Sequence, residues 1–576
     1  VIQFFDAKDM KAALPGIKRA GATLLSAEKS GLAVVTVPEA TAARKKTVQA
    51  LSALHGVRLI STFVVPASCN NVASKILGTA KALATPTAAQ PNRLGLTGAG
   101  EIIAVADTGL DTGNPQTVMA DFAGRITAIH SWPISPSFNP FITNPGADDG
   151  AADLDSGHGT HVTGSVLGGG SSAGPAIRGL SRGANLVFQA VEQRLALTPL
   201  GRQQLGSDPF QLAGLPNDIT RLFDQAYQAG ARIHSDSWGS DDAGDYAASS
   251  RQLDQFVWKY QDLCIVVAAG NSGTDANRDG VVDEGSVGSP GTAKNCITVG
   301  ASQSLRNFPN ATWGAFWPGD FPVPPLSTEK VAADKDKMAA FSGRGPTLDG
   351  RIKPDVVAPG SYILSTRSTQ IAGNGWGAYS NGHYMYDGGT SMATPLVAGA
   401  LGLLREYLRT KRGVASPSAA LLKASLICGA VRLPLPYVTA GALADNHQGF
   451  GRVNIDNIVS PAGGAQFGFQ DAATGLSTGA VRTVAVTAVA SRKLRVVLAY
   501  SDYPGRGLKN NLNLVLISPN GTRHVGNATG GQLTFDTRNN VEIVEVATPA
   551  AGAWRVQVIA SNVPQGPQRY ALAWLA

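Results

Sequence analysis

From Glu101 to Ser302 the chain repeats one rhythm, in which short and almost wholly apolar runs are separated by stretches with helical spacing. The runs read "EIIAVAD", "ANLVFQAV", "ARIHSDSWG", "CIVVAAGN" and "CITVGAS", and between them lie "GTHVTGSVLG" and "DITRLFDQAYQAG". A strand with one wet face alternates polar and apolar residues. These runs do not, so helices are expected over both faces of their sheet. Strands and helices taken in turn make that sheet parallel, and the expected fold class is α/β.

The flanks keep other rhythms. Residues 1–69 read as strand (Val1–Phe5), helix (Ala7–Ala20), strand (Ala22–Ser26), strand (Gly31–Val37), helix (Thr41–Leu54) and strand (Val57–Val65). That order predicts a small α+β unit of ferredoxin-like type. The next stretch, "NVASKILGTAKALATPTAAQPNRLGLTGAG", is rich in Ala, Thr, Gly and Pro and is expected to be a linker or to lie along a surface. From Asp456 short alternating strands with turn signals, among them "VRTVAVTAV" and "AWRVQVIAS", predict an antiparallel β-sandwich or jelly roll. Three domains follow, 1–69, 70–455 and 456–576, a division that suits a chain of 576 residues.

Composition narrows the function classes. Hydrophobic residues at 43% against 15% charged, with 67 Gly and 33 Pro, exclude extensive disorder in favour of a turn-rich globular chain. No apolar run approaches the ~18 residues that a spanning helix needs, so a soluble chain without a membrane partner is expected. The net charge of +7 is concentrated in residues 1–69, where nine Lys or Arg face Asp6, Asp9, Glu28 and Glu39. With no basic and aromatic recognition motif beside it, this excess does not mark a nucleic-acid binder. Cys69, Cys264, Cys296 and Cys428 lack CxxC spacing and read as buried thiols, with a Cys264–Cys296 bridge as the open alternative. The chain opens at Val1 without an apolar leader, as expected after removal or omission of a signal peptide.

Three glycine-flanked segments carry reactive side chains: "VADTGLDTGN" with Asp107, "DSGHGTHVTG" with His158 and "GGTSMATPLVAGALGLL" with Ser391. A serine hydroxyl is a weak nucleophile until a base takes its proton. A neutral histidine is that base when a buried carboxylate fixes its tautomer and stabilises the imidazolium. His161, one helical turn after His158, reads as a satisfied core histidine, and Met392 adjoins the nucleophile, where oxidation would add polarity.

Asp, His and Ser in this order resemble the subtilases. Within that superfamily the chain is similar to the KP-43-type alkaline proteases, which carry a C-terminal jelly roll, through "GHGTHVTGSVLG", "AAGNSG", "GTAKNCITVGA", "RGPTLDGRIKPDVVAPG" and "GGTSMATPLVAG". The resemblance implies that Asn271 is the side-chain donor of an oxyanion hole and that Ser237, Trp238 and Gly239 pair with substrate backbone and wall a specificity pocket. It also implies that residues 1–69 are an inhibitory pro-region, with cleavage near Cys69–Asn71.

An acidic loop follows Asn271. Asp275, Asn277, Asp279, Gly280, the Val281 carbonyl and Asp283 reproduce positions 1, 3, 5, 6, 7 and 9 of a calcium-binding loop. Position 12 is Ser286 rather than a bidentate Glu, which leaves Glu284 or water to complete the shell. Calcium is therefore the expected cofactor. A calcium site in the tail is in doubt, because Asn511 and Asn513 stand where the family tends to have Asp. The insert over residues 304–337 either shapes the cleft or covers a surface, and the Asn-x-Thr triplets at Asn310, Asn520 and Asn527 are at chance level.

These features together lead to the expectation of a secreted, monomeric serine endopeptidase, stabilised by calcium and made as a zymogen, whose partners are protein or peptide substrates and its own pro-region. Two rivals stand beside it. A catalytically silent peptide binder is disfavoured by the intact triad, and an esterase by the lack of a GxSxG elbow around Ser391.

Overall fold

The computed structural model describes residues 2–4, 6–27, 32–38, 40–60, 70–83, 93–172, 177–306, 311–434, 442–528 and 531–576. Cys69, Asn310 and the outer part of the strand expected at Val57–Val65 lie outside the described residues. By its internal contacts the chain divides into two units, Val1–Ala67 and Ser68–Ala576.

In the first unit β1 (Ile2–Phe4), α1 (Ala7–Arg19), β2 (Thr23–Ala27), β3 (Leu32–Thr36), α2 (Thr41–Ser52) and β4 (Val57–Ile60) follow the order read from the sequence. The strands pair antiparallel in the order β2-β3-β1-β4, a split βαβ sheet. Asp6 starts α1 by accepting the N–H groups of Lys8 and Asp9, each at 2.8 Å. Ile2, Phe4, Met10, Ile17 and Leu51 make the core beneath the helices.

The second unit is built on seven parallel strands: β5 (Ile102–Asp107), β6 (Ile126–Ser131), β7 (Asn185–Ala190), β8 (Ile233–Asp236), β9 (Cys264–Ala268), β10 (Ile297–Ser302) and β11 (Val356–Pro359). Their order is β11-β10-β9-β8-β5-β7-β6. The five inner strands are the apolar runs of the sequence, and the two edges were not legible there. β6 is only partly buried, and β11 ends on a proline, two residues past Val357, which on the outer side bonds Gly451 and Val453.

Helices α3 (His158–Leu167), α4 (Thr220–Gln228), α5 (Ala248–Lys259) and α6 (Thr390–Arg412) cover the sheet. Neighbouring residues of β5 face opposite ways. Ile103 meets α6 at Gly402, while Ala104 clusters with Ala226 of α4, so both faces of the strand are buried. The helix α7 (Ala419–Gly429), buried all round, then joins this layer to the C-terminal strands.

Those strands form two four-stranded antiparallel sheets. One holds Phe467–Leu476, Gln568–Leu575, Leu494–Ala499 and Val541–Val546; the other holds Val481–Ala488, Gly552–Asn562, Asn511–Ile517 and Arg523–Val525. Leu498 and Leu572 of the first share a core with Leu514 and Trp554 of the second, while Val497, Ala499, Ala571 and Ala573 turn to the core around α7. Lys294, just before β10, reaches across to Asp502, with Nζ 2.6 Å from the carboxylate and both side chains fully buried. It also donates to the carbonyls of Tyr503 at 2.7 Å and Gly507 at 2.9 Å.

Cys264, Cys296 and Cys428 are buried free thiols, so the Cys264–Cys296 bridge is not made. No helix among the described residues is long and apolar enough to cross a membrane.

Candidate active site

In an open parallel sheet, ligands bind beyond the carboxyl ends of the strands, where loops diverge. Here β5 ends on Asp107, β8 runs into Ser237–Gly239, and β9 runs into Asn271. A cleft of about 600 Å3 opens at these ends, lined by Asp107, His158, Ser391, Asn271, Ser237, Trp238 and Gly239 among others. The fold thus brings together all seven candidate residues for catalysis and substrate contact.

His158 opens α3, and its Nδ1 donates to Asp107 Oδ1 at 2.7 Å. Asp107 is 2% exposed, and its Oδ1 also accepts the Thr108 N–H at 2.8 Å. A carboxylate held this way can fix the imidazole tautomer and leave Nε2 for the cleft. Burial pulls the His158 pKa down, but the charge and hydrogen bond of Asp107, followed by the charges of Asp387 and Asp153, outweigh it and raise the group from 6.5 to about 9. His161, in contrast, is fully buried with Nε2 3.1 Å from the Ile363 carbonyl, and burial lowers its pKa. It is the core histidine that the sequence suggested.

Ser391 is the second residue of α6, whose cap is Gly389 at φ 147°, a conformation that suits glycine. Its Oγ donates to the Ser237 carbonyl at 3.0 Å, and the Ser237 hydroxyl donates to the Ser391 carbonyl at 3.0 Å. The second bond has a local cause. Pro395 lacks the N–H that would bond the carbonyl four residues earlier, so the Ser391 carbonyl is free to accept from Ser237. Among the described residues the Ser391 hydroxyl bonds Ser237 and makes no hydrogen bond to His158.

Asn271 is oriented by Thr390. Its Oδ1 accepts the Thr390 N–H at 2.8 Å and hydroxyl at 2.9 Å, which leaves the amide NH2 as the donor beside the nucleophile. Trp238 Nε1 donates to the Ala106 carbonyl at 3.0 Å, and a Cβ on Gly239 would come within 2.7 Å of the Ser289 carbonyl, so both are built tightly into the cleft wall.

Sequence reading missed a supporting carboxylate. Asp153 is fully buried, accepts the Thr160 N–H at 2.9 Å and hydroxyl at 2.5 Å, and is pushed up to about 6 by burial. It holds the first turn of α3 and so the base. The missed cleft residues Glu192 and Asp208 come from loops, and Phe210 and Asp387 from short strands (Phe210–Gln211 and Tyr384–Asp387), none with a motif; Glu192 was signalled only by its place just past an apolar strand.

In the acidic loop, Asp275 Oδ1 and Oδ2 accept the Asp279 and Gly280 N–H groups at 2.9 and 3.1 Å. Asn277 Oδ1 accepts the Asp279 N–H at 2.9 Å, Asp279 Oδ1 accepts that of Val281 at 2.8 Å, and Asp283 Oδ2 accepts that of Ala276 at 2.7 Å. Among the described residues no three His, Cys, Asp or Glu side chains converge as a metal-holding group. The donor chemistry, carboxylate, amide and carbonyl oxygen throughout, is nonetheless that of calcium.

The insert braces this loop rather than the substrate. The Asp275 N–H donates to the Asp320 carbonyl at 2.8 Å, and Trp317 packs 5.8 Å from Trp376, whose ring lies over Gly388 before the nucleophile. None of its described residues lines the cleft.

A nucleophile, an imidazole, a buried carboxylate and an amide donor in one cleft can carry out acyl transfer. Residues 98–451 match the model of the subtilase family, and the chain belongs to that family of serine proteases. The chain is 27% identical over 594 residues to the serine protease/ABC transporter B family protein tagB of Dictyostelium discoideum, covering 83% of this chain and 30% of that protein. It is 29% identical to the serine protease AprX of Bacillus subtilis, over 61% of this chain and 67% of that one. The chain therefore spans about a third or less of the first curated relatives it matches. Among solved structures, fervidolysin from Fervidobacterium pennivorans aligns with 94% of this chain and 68% of its own at 17% identity and a TM-score of 0.43.

Proposed function

We propose that the chain is a serine endopeptidase in which Ser391 attacks the scissile carbonyl, His158 takes the serine proton and returns it to the leaving amine, and Asp107 holds and stabilises the imidazolium. Asn271 and the Ser391 N–H bind the oxyanion, a contact worth about 10²–10³ in turnover in such enzymes. Ser237, Trp238 and Gly239 receive extended substrate backbone. The observation that carries this reading is the 2.7 Å bond from His158 to the buried Asp107, in the cleft that also holds Ser391.

A fluorophosphonate probe tests it. Labelling is expected at Ser391, with a rate that rises with pH through about 9 as His158 loses its proton. The folded-state pKa is raised, so His158 also contributes stability that is complete below about 6.5 and lost as pH rises through about 9. Labelling elsewhere, or a rate independent of pH between 6 and 10, would overturn the assignment of His158 as base.

Asp275, Asn277, Asp279, the Val281 carbonyl and Asp283 would hold a calcium ion, which would neutralise their charge and tie the loop to the insert. Chelation is expected to lower the melting temperature, with a loss of about 2.7 kcal/mol where free calcium stands a hundredfold above its Kd. Asp279→Ala should reproduce that loss and abolish the response to calcium; an unchanged melting temperature in both experiments leaves the loop a turn.

The reading extends to a secreted, monomeric enzyme made as a zymogen, with residues 1–69 as pro-region and the C-terminal sheets as a jelly-roll domain of the KP-43 type. The division of the chain next to Ser68 supports maturation near Cys69–Asn71.

A further inference from the structure

The two donors of the proposed oxyanion hole come from distant parts of the chain. The Asn271 amide follows β9, and the Ser391 N–H belongs to the turn that opens α6. Thr390 ties them at one point, and a Cβ on Gly389 would lie 3.4 Å from the Asn271 amide nitrogen. Gly388 and Gly389, which lead into the nucleophile, have no side chains with which to hold their own backbone. Glycine leaves a chain its greatest freedom, so the position of this turn depends on what packs against it.

A layer of aromatic rings packs against both halves. Phe341 holds the Asn271 segment, because its carbonyl accepts the Gly273 N–H at 2.9 Å, and the Gly343 N–H donates to the Gly270 carbonyl at 2.8 Å. Trp376 holds the nucleophile turn. Its N–H donates to the Tyr386 carbonyl at 2.8 Å, and a Cβ on Gly388 would fall 2.1 Å from its ring, so ring and glycine backbone are in direct contact. Phe341 and Trp376 meet edge to face at 6.3 Å. The insert completes the layer: Trp313 and Trp317 lie 5.6 and 6.4 Å from Phe341, and Phe316 stacks 6.5 Å from Trp376. Close-packed rings transmit displacement, and none of these five lines the cleft.

We propose that Trp376 is a positioning residue of the oxyanion hole, and that the insert over residues 304–337 serves to seat it. The inference rests on the endopeptidase reading and gives the insert a role in it. The ring layer keeps the Ser391 N–H and the Asn271 amide at the spacing that a tetrahedral intermediate needs, without touching substrate.

The test measures kcat, KM and the Ki of a peptide aldehyde, whose tetrahedral adduct with Ser391 places an oxygen in the oxyanion hole. Rates are normalised to fluorophosphonate-labelled sites. Trp376→Leu should lower kcat and weaken the aldehyde by about tenfold each, part of the roughly 10²–10³ carried by one oxyanion donor, and leave KM within about twofold. Trp376→Phe should restore part of the loss, and Trp317→Leu should lower kcat in the same direction. Gly388→Ala, which pushes the ring away, should reproduce the effect, a readout that remains if Trp376→Leu does not fold. A lower melting temperature with kcat per labelled site unchanged overturns the inference alone, as does a loss confined to KM. Absence of labelling in the wild type overturns the endopeptidase reading and this inference with it.

Discussion

Ser391→Ala is expected to lower kcat by about 10⁶, the scale measured when subtilisin loses its nucleophile. The size follows from the way the parts act together. Without the hydroxyl, the bond between His158 and Asp107 has no proton to move, so their contribution disappears with that of the serine. Asn271 remains held by Thr390 and the cleft still binds peptide, so a residual rate about 10³–10⁴ above water is expected. A circular dichroism spectrum and melting temperature close to wild type would place the loss in chemistry. The same variant should keep residues 1–69 attached, whereas the N-terminus of active wild-type enzyme should fall near Cys69–Asn71. A variant retaining a percent of activity would exclude Ser391 as nucleophile.

The largest stability effect is expected at the junction with the C-terminal sheets. Lys294→Met should destabilise the protein by about 3–5 kcal/mol, because it leaves Asp502 buried without its cation. Asp502 would keep the Lys509 and Asn510 N–H groups, each at 2.8 Å, which satisfy lone pairs but carry no full charge. The double variant Lys294→Met with Asp502→Leu should recover much of the loss, since a buried pair replaced by apolar groups of similar volume is often near neutral. Chemical denaturation of the wild type and both variants checks this. Equal losses in the single and double variants would show that Lys294 acts through its bonds to Tyr503 and Gly507.

Legibility in the sequence followed burial. The five inner strands were readable because both their faces are apolar, and the triad because each member sits in a glycine-flanked segment whose close packing restricts what can replace it. β6 escaped, since a half-buried strand carries no such pattern. The insert could not be assigned because its partners, the acidic loop and Trp376, lie far from it in the chain. Glu192 and Asp208 are ordinary surface-type residues until the fold points them into one cleft.

The sequence by itself determined the order of elements, the parallel sheet and the residues able to form a triad, because these depend on local periodicity and on side-chain chemistry. Tertiary structure decided how those residues are tuned and joined. The raised His158, the bond from Ser237 to the Ser391 carbonyl and the buried Lys294–Asp502 pair all depend on charges and hydrogen-bonding groups brought together across long stretches of chain, and no local pattern encodes such distances.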